Sequence, residues 1–195
     1  MPPCPRRDVF REGEIGVYHC YNRCVRRAFL CGDDPLTGVN YEHRRDWIVD
    51  FEQELARHFA VEICFHAEMV NHLHVALRVR PDIVTVWSDE EVVRRWLTIT
   101  HLVRSKDGKT IKPLSEKRIA KELANPEKVA KMRRKLASIS NFMGSLCEHT
   151  ARRSNAEDGT SGTFGESRFK CQYLADEAAV LCCGIYIDLN QVRAR

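Results

Sequence analysis

Two short stretches of this 195-residue chain carry side chains whose types and spacing suit chemistry on a phosphodiester. The first is Val70-Asn71-His72-Leu73-His74. Histidines at i and i+2 of an extended strand project from one face, about 7 Å apart along it. Two imidazoles so placed can converge on one divalent cation, while Leu73 points the other way and anchors the strand. The second stretch is Tyr186-Ile187-Asp188-Leu189-Asn190. On a helix Tyr186 and Asn190 are i and i+4, one above the other, so a phenol and an amide oxygen project together. Brought near His72 and His74, that helix face would complete a site of two imidazoles, an amide oxygen and a tyrosine hydroxyl. In such a site a cation polarises a non-bridging phosphate oxygen. The tyrosine oxygen attacks phosphorus to give a phosphotyrosine, and the strand's 3′ hydroxyl leaves. Spacing by itself leaves the bland alternative open: a His-x-His pair is more often an ordinary surface or core feature, and Tyr186 and Asn190 more often a core-edge and a helix-end residue.

The elements that must position these groups can be read from periodicity. Ile15 to Val25 is rich in β-branched and aromatic residues and predicts a strand. Residues 31–40, with Gly32, Pro35 and Gly38, form a turn region. Tyr41 to His58 predicts a helix with Trp47, Ile48, Phe51 and Leu55 inward and Arg44, Arg45 and Glu52 outward. Val61 to Val70 alternates, with Val61, Ile63, Phe65, Ala67 and Met69 on one face; His72 to Val79 alternates again, and the short connection predicts a hairpin. Ser88-Asp89-Glu90-Glu91 is a capping box opening a helix to about Thr100. Residues 103–137 read as a polar insertion with short helices, Leu136 to Arg153 as a helix and 154–165 as a loop. Arg168 to Leu174 is a strand. Asp176 to about Asn190 is the last helix, with Ala178, Leu181, Cys182, Ile185 and Leu189 as its buried stripe. Residues 1–14 read as a flexible arm and 15–195 as one domain. The expected fold class is α+β: an antiparallel sheet with helices packed on one face.

Composition narrows the function class. Hydrophobic residues are 44% and charged residues 30%, as in a globular protein. No apolar run approaches the roughly 20 residues of a membrane helix, and Met1 to Arg7 lacks an apolar signal segment. The expectation is a cytoplasmic protein with no membrane partner. Its nine cysteines include no C-x-x-C, so reduced thiols are expected rather than a zinc ligand set. The net charge of +4 is unevenly spread: His101 to Arg153 holds 14 Lys or Arg against 5 Asp or Glu, the remainder 17 against 22. Lys131, Arg133, Arg134, Lys135, Arg152 and Arg153 belong to this basic region, and Arg23, Arg26 and Arg27 form a second group. Such concentrations attract a phosphate backbone, although a single charge run is more often just a solvated face.

Four segments, in order, resemble the REP-associated branch of the single-tyrosine, His-hydrophobic-His transposases. Met69-Val70-Asn71-His72-Leu73-His74 is similar to that family's M-x-N-H-x-H signature, and Tyr18-His19-Cys20-Tyr21-Asn22-Arg23 to its first strand. Gly162 to Lys170 resembles its G-x-F-W-E-x-R-[FY] segment, and Tyr186 to Ala194 its Y-x-x-x-N-P-V-R-A ending. The resemblance implies a ferredoxin-like core. It implies that His72 and His74, with Asn190 as third ligand, hold Mg²⁺ or Mn²⁺, and that Tyr186 is the nucleophile. Metal-dependent transposition of single-stranded or hairpin DNA is the implied function, with DNA held by Arg23, Arg133, Arg134, Lys135, Arg152, Arg153, Arg168 and Lys170, in a monomer or homodimer. The family's Trp is Gly165 here and its Pro after the Asn is Gln191, and the chain stops at Arg195 where relatives usually continue. These departures frame the alternatives: impaired activity through truncation, a degenerate or domesticated DNA-hairpin-binding protein without catalysis, or a metal-dependent nuclease without a covalent step.

Overall fold

The computed structural model describes residues 9–11, 13–25, 29–111, 113–166 and 168–193, with side chains as far as Asn190. Arg26, Arg27, Ala194 and most of the expected arm at 1–14 lie outside them. The described residues form four strands, β1 (Gly16–Arg23), β2 (Val61–Glu68), β3 (His72–Val79) and β4 (Lys170–Leu174). They also form seven helices: α1 (His43–His58), α2 (Pro81–Val86), α3 (Asp89–Arg104), α4 (Glu116–Leu123), α5 (Pro126–Leu136), α6 (Ile139–Glu157) and α7 (Glu177–Arg193). The sheet order is β2-β3-β1-β4 and every pair is antiparallel. That is the order of a ferredoxin-like βαββαβ sheet, so the α+β expectation holds and β1 and β3 lie at the centre.

Alternation in β1 and β3 sorts the two faces. Tyr18, Cys20, Leu73, Val75, Leu77 and Val79 point into the larger core, shared with α1, α3, α5 and α6. Val17, Ala76 and Leu174 point the other way, into a smaller core that α7 covers with Cys183 and Ile187. Helices therefore lie on both faces, not on one. The expected stripe of α7 also turns over: Leu181, Ile185 and Leu189 are exposed, and Cys182 with them, while Cys183 and Ile187 are buried. The helix is apolar on several sides, so periodicity alone does not choose the buried one.

The hairpin of β2 and β3 forms as expected, closed by the Met69 amide on the His72 carbonyl at 2.8 Å. Its register contains a bulge. Ile63 pairs with Leu77 but Phe65 pairs with Ala76, leaving Cys64 as the extra residue. Side chains beyond it change face. Val61 and Ile63 pack in the large core, whereas Phe65, Ala67 and Met69 pack under α7. The five do not share a face as simple alternation predicts, and His66 and Glu68 are turned into the helical layer.

Ser88 caps α3 as the capping box predicts, its hydroxyl accepting from the Glu91 amide at 3.1 Å. The 103–137 insertion forms α4 and α5, whose Ile119, Val129 and Leu136 are buried in the main core. Helix α2 is not among the elements that periodicity predicts; Pro81 begins it at a first-turn position. Helix α6 runs four residues past its expected end. Arg44, 1% exposed, explains this: its Nε meets Glu157 at 3.0 Å, and Nη2 bonds Asp158 at that helix's C-terminal end.

Candidate functional site

The central strands place four aromatic or imidazole side chains on the α7 face. In the β1–β3 register Tyr21 lies opposite His74 and Arg23 opposite His72, with His19 one diagonal step along. The His72 and His74 rings are 4.9 Å apart at 77°. His19 Nε2 lies 2.8 Å from His74 Nδ1, and Tyr21 stacks on His74 at 5.6 Å. Helix α7 crosses above. Cys183 and Ile187 fix it to the sheet, and Gly184 brings it close: a Cβ there would meet the Phe65 ring at 2.6 Å. Tyr186 leans over the imidazoles, 5.7 Å from His74 and 6.1 Å from His19 between ring centroids, edge-on to both. Its side chain remains 52% exposed, so a solute can reach it.

Hydrogen bonding sets which ring nitrogens are available. The Asn71 amide oxygen sits 2.6 Å from His72 Nδ1 and can only accept, so that nitrogen carries the proton and Nε2 carries a lone pair. His74 spends Nδ1 on His19 and leaves Nε2 buried with no partner. An orphaned imidazole nitrogen on one histidine and an open lone pair on its neighbour fit a divalent cation, with Asn71 and His19 orienting the two rings. Burial also keeps the rings neutral. Desolvation, then the neighbouring His19 and His72, push His74 down to about 4. Desolvation and then Arg23 lower His72, and desolvation lowers His19. Neutral imidazole is the form that ligates metal or accepts a proton.

These groups open into a cleft of about 660 Å³ whose wall includes His19, Tyr21, His72, His74 and Tyr186, with Arg23, Arg168, Lys170 and Glu166 around them. Three of the eight residues expected to hold DNA are therefore in the cleft. The other five are not. Arg133 donates to the Val84 and Trp87 carbonyls and to Asp89 at 2.7 Å, closing the corner between α2 and α3. Lys135 lies over the Trp96 ring at 4.6 Å. Arg134 is on the same helix, α5, and Arg152 and Arg153 are on α6, in the layer behind the sheet. Asn190 lies one turn beyond Tyr186 and donates its amide to the Tyr186 carbonyl at 2.9 Å; it does not line the cleft. In the sequence His19 and Tyr21 stand only within the first-strand segment Tyr18 to Arg23, with no role assigned to either. The signal was there: Val17, His19, Tyr21 and Arg23 share one parity of β1. At Gly165, where the resembled family has Trp, an added Cβ would lie 3.1 Å from the Asn22 amide nitrogen. Asn22 thus borders the space a larger side chain would take.

No helix among the described residues is long and apolar enough to cross a membrane. No family model matches the chain, and no curated protein matches it. A solved structure described as a REP-associated tyrosine transposase bound to a REP hairpin is similar, with TM-score 0.47 and 10% identity, over 95% of this chain and 70% of that one. The likeness is distant and concerns overall fold alone; the chemistry of the cleft rests on the residues described above.

Proposed function

We propose that this chain is a DNA transposase that cleaves and rejoins single-stranded or hairpin DNA through a covalent phosphotyrosine at Tyr186. The observation that carries this reading is the overhang of an accessible phenol, 5.7 Å from His74, above imidazoles held neutral by burial. Arg23, Arg168 and Lys170 bind the phosphates flanking the scissile bond, and their cleft is open enough to admit a strand. The Tyr186 oxygen bonds to phosphorus, the P–O3′ bond breaks, and the departing 3′ oxygen takes up one proton for the one the phenol gives up. The freed 3′ hydroxyl, or that of another strand, reverses the step and restores the phenol, so the exchange needs no external energy source.

His72 and His74 would hold Mg²⁺ or Mn²⁺ through Nε2; Asn190, one turn beyond Tyr186 and outside the cleft wall, would join as third ligand through Oδ1 once its side chain turns from the Tyr186 carbonyl toward them. Bound there, the cation would draw charge from a non-bridging phosphate oxygen. His19 is assigned as the residue that positions His74.

Incubation with 5′- or 3′-labelled single-stranded and hairpin oligonucleotides plus Mn²⁺ tests the reading on a denaturing gel. Wild type is expected to give a protein–DNA adduct, and Tyr186→Phe and His74→Ala none. Hairpin binding without any adduct would instead identify a non-catalytic DNA-binding protein. Cleavage retained in Tyr186→Phe but lost in His74→Ala would identify a hydrolase without a covalent step.

A further inference from the structure

We propose that Glu52, His66 and Glu68 form a second divalent-cation site, on the face of the sheet opposite the histidine–tyrosine cleft. Each residue offers one ligand atom, and these atoms lie within 4.8 Å of one another. Around a cation with bonds of about 2.1 Å, ligand atoms sit roughly 3–4 Å apart, so small rotations close the shell. The bulge at Cys64 is what creates the cluster: without it, His66 and Glu68 would face α7, away from Glu52 on α1.

Burial makes the cluster more than a group of acids. Glu52 and Glu68 are each 1% exposed, and Glu52 Oε1 has no hydrogen-bond partner. Among the described residues no guanidinium bonds to either carboxylate. Arg45, the cation beside the pair, feels the Glu68 charge but directs Nη1 to the Glu68 backbone carbonyl and Nε to Glu42 at 2.6 Å. Two buried carboxylates with one orphaned oxygen are costly unless something positive is shared between them. Two negative charges and a neutral imidazole match the charge of one divalent ion. Without a cation protons must serve: burial and then Glu68 push Glu52 up to about 8, and the bond to Glu68 leads in raising His66 to about 9. The side chain of His66 is 34% exposed, which gives a cation a way in. Carboxylates with imidazole suit Mn²⁺ and Zn²⁺.

Metal content of the full-length protein tests the site, with Zn²⁺ and Mn²⁺ used in turn as probes after chelator treatment. His72→Ala/His74→Ala, which removes the cleft ligands, is expected to retain one equivalent by equilibrium dialysis with elemental analysis. Adding Glu52→Gln, close to isosteric, should weaken that binding at least tenfold while circular dichroism reports a folded chain. The melting temperature of His72→Ala/His74→Ala should rise with added metal, and that rise should vanish in the Glu52→Gln version. Absence of metal from folded His72→Ala/His74→Ala protein at 100-fold excess of either ion would overturn the proposal, as would binding unchanged by Glu52→Gln. Neither result bears on the Tyr186 reaction, whose readout is the DNA adduct.

Discussion

His74 has both ring nitrogens assigned to different duties: Nδ1 meets His19, and Nε2 stays buried and open. Removing the first should impair the second. His19→Ala is expected to slow adduct formation 10- to 100-fold, the usual cost of losing a residue that orients a ligand, with His19→Asn recovering part of the rate in a time-course gel. The pH dependence follows from burial. His74 is lowered to about 4, so the folded protein stays deprotonated there while the unfolded chain protonates near 6.5. Its contribution to stability is full above about 6.5 and disappears as pH falls toward about 4. Urea unfolding across that window should show stability declining with acid, and His74→Asn should flatten the decline. His19, His72 and His149, also lowered, keep part of it. His72, His74 and Tyr186 were legible in the sequence because periods of 2 and 3.6 predict shared faces. Arg44 and Glu52 were misplaced because residue type was weighed above position. Both lie on the buried stripe with Ile48, Phe51 and Leu55, and both are buried.

Helix α7 reaches the imidazoles only because it rests closely on the sheet, and Gly184 sets that closeness. Gly184→Ala places a Cβ 2.6 Å from the Phe65 ring. Overpacking of this kind costs about 1–3 kcal/mol, and lifting the helix should reduce adduct yield more than it reduces DNA binding, a difference that gel and filter-binding assays on one preparation would reveal. Ile187, 0% exposed beneath the same helix, should cost about 3 kcal/mol when changed to Ala. On the other face, Arg44→Ala should lower stability by about 3 kcal/mol in denaturant titration, because Glu157 and Asp158 lose the guanidinium that terminates α6. Apart from α2, element type and order were readable from periodicity and caps. The faces of β2 and α7 were not. A bulge inserts one residue without any mark in the alternation, and a helix apolar on several sides gives no preferred direction.

At the scale of the whole molecule the charge divides in two. The basic region at 101–153 that composition singles out lies largely on α3 to α6 behind the sheet, and several of its cations are engaged there, as Arg133 is with Asp89. The cleft has its own cations in Arg23, Arg168 and Lys170. Neutralising these three should shrink the salt dependence of single-strand affinity by about 0.7 in log–log slope for each phosphate left without its cation. Replacing Arg133 should leave that slope unchanged and lower stability. Linear charge counting could not make this distinction, because it does not tell which side of a sheet a segment will occupy. In the proposed reaction the Tyr186 oxygen takes the phosphate. Tyr21 shares the cleft and stacks on His74, so the attachment site discriminates. Tryptic peptide mapping of the trapped adduct by tandem mass spectrometry is the direct measurement. A nucleotide mass is expected on the 171–193 peptide, with fragment ions placing it on Tyr186; a nucleotide on Tyr21 or Tyr173 would refute attack by Tyr186.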